Sequence, residues 1–397
     1  MVKPQLHPFY RSNLSIERLL LSLFLLSLFL FSCNGDEPIV DPDDDEDPIE
    51  VPDTTTSSKF YFGADLSSVN MVEDYGAVYK ENGNKIDPFA LFKNHGCTVV
   101  RVRLFHNPDA KDGYSQYYKP GYCGLKDVTK TIRRAKAAGM EVSLDFHFSD
   151  TWADPGKQEI PSAWKGLSLA VLKDSLYNYT LSVLNSLKSQ NLTPQMVQLG
   201  NEIDPGILLP TGESNSALAI LLNKAIKAVR DFSSNSTIKP KIIIHYGDNQ
   251  NTVWRHNNLK SIGVTDYDII GMSYYDKYAK IKFSNLASVI GQLKTQFKKE
   301  VMVVETSYQW TNASRNGTVY TKQIELNGYP VSQQGQLDYL KALTQTIIDA
   351  GGNGIMYWEP AWIKSSISWG LEIESMFDFD GNVLPSMNYM NYNYKFN

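Results

Sequence analysis

Two apolar runs in this 397-residue chain end on carboxylates: "VQLGNEI" (197–203) places Glu202 after Asn201, and "VVETSY" (303–308) places Glu305 after two valines. A run made for a protein interior that stops on a charge reads either as a plain surface turn or as the edge of a site. A pair of carboxylates suits glycosidic cleavage, in which one group protonates the leaving oxygen while the other attacks, or activates water at, the anomeric carbon. Tryptophans at 152, 164, 358, 362 and 369 could stack on sugar rings; each alone is more often a core residue, and their clustering in loops after two such runs favours sugar contact. Because 103 positions separate Glu202 from Glu305, only the fold can bring them together.

Eight strand-like runs are available to do so: 60–65, 98–105, 141–148, 196–202, 241–246, 268–274, 301–307 and 354–359. Most intervals hold apolar residues spaced three and four apart, as in "LAVLKDSLYNYTLSVLNSLKSQ", and Gly96, Gly139 and Gly351 stand where helices should stop before the next strand. This alternation predicts an α/β fold, a closed (β/α)8 barrel, over a doubly wound open sheet; no glycine-rich phosphate loop follows the first run. In such barrels the site lies at the C-terminal ends of the strands. Polar residues gather there: Asp65, Arg101, Arg103, His147, Asp150, Asn201, Glu202, His245, Tyr274, Tyr275, Glu305, Trp358 and Glu359. Strands four and seven oppose each other across the mouth, so Glu202 and Glu305 are expected to converge. Alternation along strand two is expected to turn only one of Arg101 and Arg103 inward.

The amino-terminal part is separate. Lys3, Arg11 and Arg18 precede "LLLSLFLLSLFLF", the pattern of a secretion signal spanning 1–32, and "LFSC" marks Cys33 for cleavage and lipidation; an uncleaved anchor is the other reading, and both export the rest of the chain. Residues 34–58 carry ten acids, four prolines and no basic residue, which predicts an extended acidic tether from Cys33 to a folded part at 59–397. Without those ten acids the formal charge of −5 becomes +5, and about +3 once the leader's charges are also removed. A near-neutral folded part gives no support for nucleic-acid binding. Cys97 and Cys123 could pair in an oxidising compartment, though Cys97 reads more simply as a small buried residue; their spacing does not make a zinc site.

The segments "GADLSS" (63–68), "DFHFSDTWADPGKQEIPSAW" (145–164), "VQLGNEI", "VVETSY", "GIMYWEPAW" (354–362) and "MFDFDGNVLPSMNYM" (376–390) resemble the endo-β-1,4-galactanases of glycoside hydrolase family 53, from about Phe60 to Met390. The resemblance implies a retaining endo-hydrolase of galactan or arabinogalactan, with Glu202 as acid/base and Glu305 as nucleophile. It also implies that Asn201 binds the substrate's 2-hydroxyl, that Trp358 is a sugar floor, and that Asp65, Arg101, His147, Asp150, Trp152, His245, Tyr274 and Trp369 contact or support substrate. His147 and His245 could equally be structural, and without a third ligand they do not form a metal site. No cofactor is required. Glu372, Glu374 and Asp378 stand where some relatives hold a structural calcium, but no calcium-loop spacing is visible. "RVRLFHNP" lacks a tryptophan common before that proline, and Ser307 replaces a common alanine, departures that bear on chain-length preference. A mannan- or glucan-cutting relative and a non-cutting galactan-binding lipoprotein are the rival readings. The acidic block after Cys33 resembles the surface-export signal of Bacteroidetes lipoproteins, so a monomeric outer-membrane lipoprotein facing outward is expected.

Overall fold

The structure is a computed structural model and describes residues 59–109, 119–313, 328–367 and 370–396. Cys33, the tether and Trp369 lie outside the described residues.

Eight strands close a barrel: β1 (Tyr61–Asp65), β2 (Val99–Leu104), β3 (Glu141–Phe146), β4 (Met196–Leu199), β5 (Lys241–Tyr246), β6 (Ile269–Ser273), β7 (Glu300–Thr306) and β8 (Gly354–Tyr357). Each pairs in parallel with its neighbour in sequence, and β8 closes on β1 through Tyr61↔Gly354. Helices α1 (Val69–Asp74), α2 (Pro88–Asn94), α3 (Leu125–Ala137), α4 (Leu169–Lys188), α5 (Asn215–Ser234), α6 (Thr252–Ser261), α7 (Phe283–Phe297) and α8 (Gln333–Asp349) occupy the connections. Their starts follow local chemistry: the side chains of Asp87, Ser214 and Ser332 accept first-turn amides of α2, α5 and α8. The predicted barrel is therefore observed. The strands stop one to three residues short of most predicted C-terminal ends, because their polar residues leave the ladder and turn into the mouth.

Two apolar layers hold this arrangement. A small inner core of Tyr61, Val99, Met196, Ile243, Ile269, Met302, Val304 and Met356 plugs the barrel, and a large outer core fills the space between strands and helices. The inner residues fix which positions face the axis, since strand side chains alternate with period two. From Val99 that rule carries both Arg101 and Arg103 inward, and both are buried inside. The expectation that only one arginine points inward is thus corrected: residues two apart share a face. On β7 the same rule, starting from Met302 and Val304, would turn Glu305 outward. A β-bulge prevents this. Met272 pairs with Val303 but Ser273 pairs with Glu305, so one residue is skipped and Glu305 is returned to the interior.

Cys97 and Cys123 are both buried as thiols, which sets aside the disulfide.

Candidate active site

Glu202 sits in a turn beyond β4 with φ of +45°, a left-handed conformation that disfavours a residue bearing a Cβ. Gly200, at φ +86°, begins the turn. Asp204 fastens it by accepting the amides of Gly247 (2.8 Å) and Asp248 (3.0 Å) beyond β5. Gly247 leaves room for the acid: a Cβ there would lie 2.6 Å from Glu202 Oε1. Oε1 contacts Ser273 Oγ at 2.7 Å. Burial, and then the charge of Glu305, push the Glu202 carboxyl up to about 8. At neutral pH it therefore carries a proton.

Glu305 meets a different environment. Arg101 Nη1 stands 2.8 Å from Oε1, and the Tyr275 hydroxyl donates to Oε2 at 2.8 Å. Burial raises Glu305 too, but Arg101 and Tyr275 oppose it, so of the two carboxyls Glu305 ionises first. Arg101 is itself fixed by Asp65 (3.0 Å), Asp145 (2.8 Å), Asn201 Oδ1 (2.8 Å) and Gln198 Oε1 (3.3 Å). A buried guanidinium among three carboxylates stays charged. Arg103 serves elsewhere: it donates to Glu359 Oε1 (2.7 Å) and stacks 3.8 Å over the Trp152 ring.

Of the remaining sequence-predicted residues, Asn201, His147, Trp152 and Trp358 line the same cavity as Glu202 and Glu305, which measures about 740 Å³. That volume suits a few sugar rings. Trp152 and Trp358 meet edge to face at 6.1 Å, and Tyr275 meets Trp358 likewise at 6.4 Å. Asp65 does not line the cavity; it holds Arg101 and accepts from Ser67. His147 donates from Nε2 toward Asp145 (3.2 Å) and accepts the Ala153 amide at Nδ1 (2.9 Å), so it also orders the loop carrying Trp152. Burial lowers the affinity of both His147 and His245 for a second proton. His245 is fully enclosed behind Asn201 and Ser273, a support and not a wall of the cavity.

Several expectations are corrected. Tyr274 is buried outside the barrel against Phe283, because alternation after Ser273 turns it away; Tyr275 enters the site instead. Asp150 braces the loop after β3, accepting Ser162 N and Oγ and Asn107 N, and does not reach the cavity. Trp164 packs on His106 and Tyr179, and Trp362 is fully buried, so both belong to the core. Of the acids considered for calcium, Glu374 accepts from Lys277 and Ser307, while Asp378 accepts the amides of Asp380 and Asn382. Among the described residues no three His, Cys, Asp or Glu gather as a metal set.

Sequence reasoning placed Tyr275 at a strand end but took Tyr274 for the site, and it passed over Ser273, Asp145, Gln198, Gly247 and Lys277. Gln198 carried a usable signal, since it is the one polar residue of a strand otherwise apolar.

Comparison with known proteins agrees with this geometry. The chain is 41% identical over 359 residues to an arabinogalactan endo-β-1,4-galactanase of Cellvibrio japonicus, covering 85% of this chain and 92% of that protein. An endo-β-1,4-galactanase of Bacillus subtilis is 33% identical, with 84% and 86% covered. The fold superposes on the family 53 catalytic domain of Ignisphaera aggregans with a TM-score of 0.77 at 31% identity, covering 85% of this chain and 97% of that one. The sequence profile of glycosyl hydrolase family 53 spans residues 61–390, from the first residue of β1 to the aromatic segment that closes the fold, and the chain is a member of that family.

Proposed function

We propose that this protein hydrolyses internal β-1,4-galactosidic bonds of galactan or arabinogalactan by double displacement, with Glu305 as nucleophile and Glu202 as acid/base. The observation that carries the reading is the contrast between the two carboxyls of one aromatic-walled cavity: Glu202 is kept protonated by burial beside Glu305, while Glu305 is paired with Arg101 and Tyr275. Similarity to galactanases supports the substrate class.

In the first step a Glu305 oxygen forms a bond to the anomeric carbon. The glycosidic C–O bond breaks, and its electron pair takes the Glu202 proton. Arg101 and Tyr275 orient the attacking carboxylate and are released from full charge neutralisation as the ester forms. In the second step Glu202, now a carboxylate, removes a proton from water as the water oxygen displaces Glu305. Retention needs the two carboxyls about 5 to 5.5 Å apart. Asn201, its Oδ1 held by Arg101 and its Nδ2 donating to Ala153 O (2.8 Å), is positioned to meet the 2-hydroxyl. The rings of Trp152 and Trp358, set edge to face, supply the apolar contact that sugar rings need.

Reducing-sugar release on linear galactan, mannan and cellulose in parallel tests the substrate, with cleavage of galactan alone expected. Binding of galactan without oligosaccharide release would refute the enzyme reading. Proton NMR of the first anomer released should show the β form. Azide should rescue a Glu305→Ala variant with inverted stereochemistry and a Glu202→Ala variant with retention.

The protein is further proposed to act as a monomer held to the outer membrane, facing outward, by a lipid on Cys33. "LFSC" and the acidic stretch after it support this. Labelled palmitate should enter the wild-type chain and not a Cys33→Ala variant, and protease added to intact cells should remove the catalytic part.

A further inference from the structure

Beyond the pair itself, Glu202 is joined to Asn201 by a line of hydrogen bonds whose direction can be worked out from its far end. Asn201 Nδ2 donates to Ala153 O at 2.8 Å, so Oδ1 is the atom facing Arg101 Nη2 (2.8 Å), Gln198 Nε2 (3.2 Å) and His245 Nδ1 (3.0 Å). The amide cannot be reversed, because its nitrogen would then meet two obligate donors. An oxygen 3.0 Å from Nδ1 is nearer than either N–H group aimed at that nitrogen, Gln198 Nε2 at 3.2 Å and the Glu202 amide at 3.4 Å, and this order of distances favours a proton on Nδ1. Gln198 does not compete for Nδ1, since its two amide protons go to Asp145 Oδ1 (2.7 Å) and Gly200 O (3.1 Å). The other donor near Nδ1, the Glu202 amide, is farther away at 3.4 Å.

His245 faces Arg101 from β2, Asp145 and His147 from β3, Gln198 and Asn201 from β4 and the turn after it, and Ser273 from β6. Burial and the Arg101 charge keep its ring neutral. With its proton on Nδ1, Nε2 is bare, and it lies 2.9 Å from Ser273 Oγ. The serine must donate to it. A hydroxyl has one proton, so the remaining contact, 2.7 Å between Ser273 Oγ and Glu202 Oε1, needs its proton from the carboxyl.

We propose that Ser273 and His245 are positioning residues forming a directed relay, Glu202 Oε1–H to Ser273 Oγ–H to His245 Nε2, with Nδ1–H to Asn201 Oδ1, which selects the protonated acid. A serine beside a carboxylate ordinarily donates to it and lowers its pKa. Here the imidazole takes the serine proton, and the sign is reversed. Charged groups facing Glu202 are Glu305, Asp204 and Asp154, all of which favour the same protonated state. The relay also ties the proton on Glu202 to the set of donors on Asn201, the residue next to it in sequence.

The inference rests on Glu202 being the acid, and its test reads the carboxyl directly. In the full chain labelled with ¹³C at glutamate carboxyls and ¹⁵N in histidine, the Glu202 titration and the His245 tautomer are followed together. Expected are the Nδ1–H tautomer below the Glu202 midpoint and, in Ser273→Ala, a midpoint lower by about one pH unit, the worth of one hydrogen bond to the neutral acid. An Nε2–H tautomer, or a Ser273→Ala midpoint that rises or stays in place, would overturn the relay. Galactan cleavage is scored separately, so a failure of the proposed activity is distinguishable from a failure of the relay.

Discussion

Replacing Glu202 by glutamine should make the protein more stable, and increasingly so as pH rises. In the folded state the carboxyl is pushed up to about 8, whereas in the unfolded chain it sits near 4.5. A raised carboxyl contributes stability that is fully present below pH 4.5 and is lost as pH climbs through 8, because only the unfolded chain then ionises freely. The gap corresponds to ~5 kcal/mol. The side chain opens onto the solvent-filled cavity, and screening there reduces the effect to about 2 kcal/mol. Glutamine matches the acid in shape and never ionises. Urea unfolding of the wild type and Glu202→Gln at pH 5 and pH 9 should therefore show near-equal stability at pH 5 and an advantage of about 2 kcal/mol for the variant at pH 9. A difference that is the same at both pH values would refute the assignment of a buried, raised acid at this position.

Gly247→Ala should put its methyl on the Glu202 carboxyl, displacing a flexible side-chain end at little cost to stability. It should lower kcat about 100-fold while the melting temperature barely moves, and kinetics beside calorimetry check both. Tyr275→Phe keeps the ring against Trp358 but deletes the 2.8 Å donor to Glu305. The acid limb of the pH–rate profile should shift to higher pH and kcat should fall by about 10- to 100-fold. Arg101→Met strands Asp65, Asp145 and Glu305 without their cation. It should destabilise the fold by about 3 to 5 kcal/mol and abolish cleavage, both measurable on the purified variant.

The barrel was legible because each strand is a short β-branched or apolar run and each connecting helix has its own period. The proposed catalytic pair was legible because Glu202 and Glu305 close two such runs. What could not be read locally was orientation. Glu305 faces the axis only because β7 skips a residue against β6, a register event set by the neighbouring strand. Tyr274 and Tyr275 are adjacent tyrosines, and which one enters the mouth depends on the phase of β6, in which Ser273 faces inward and alternation carries Tyr275 in with it. Strict alternation, correctly applied, would have placed Arg101 and Arg103 on one face. Trp164 and Trp362 lie in the right loops yet pack into the core, since loop membership says nothing about the direction a ring takes.

The contacts of Arg101 come from β1, β3, the β4 turn and β7, positions 65 to 305 of the chain. No partial barrel can assemble that set, so Glu305 gains its cation only when nearly all the strands have docked. Enzymatic activity is then a reporter of the last event in folding. During refolding it should appear in one late phase after most helical signal has returned, and a chain crossing a membrane unfolded would carry no hydrolytic capacity until its barrel closes.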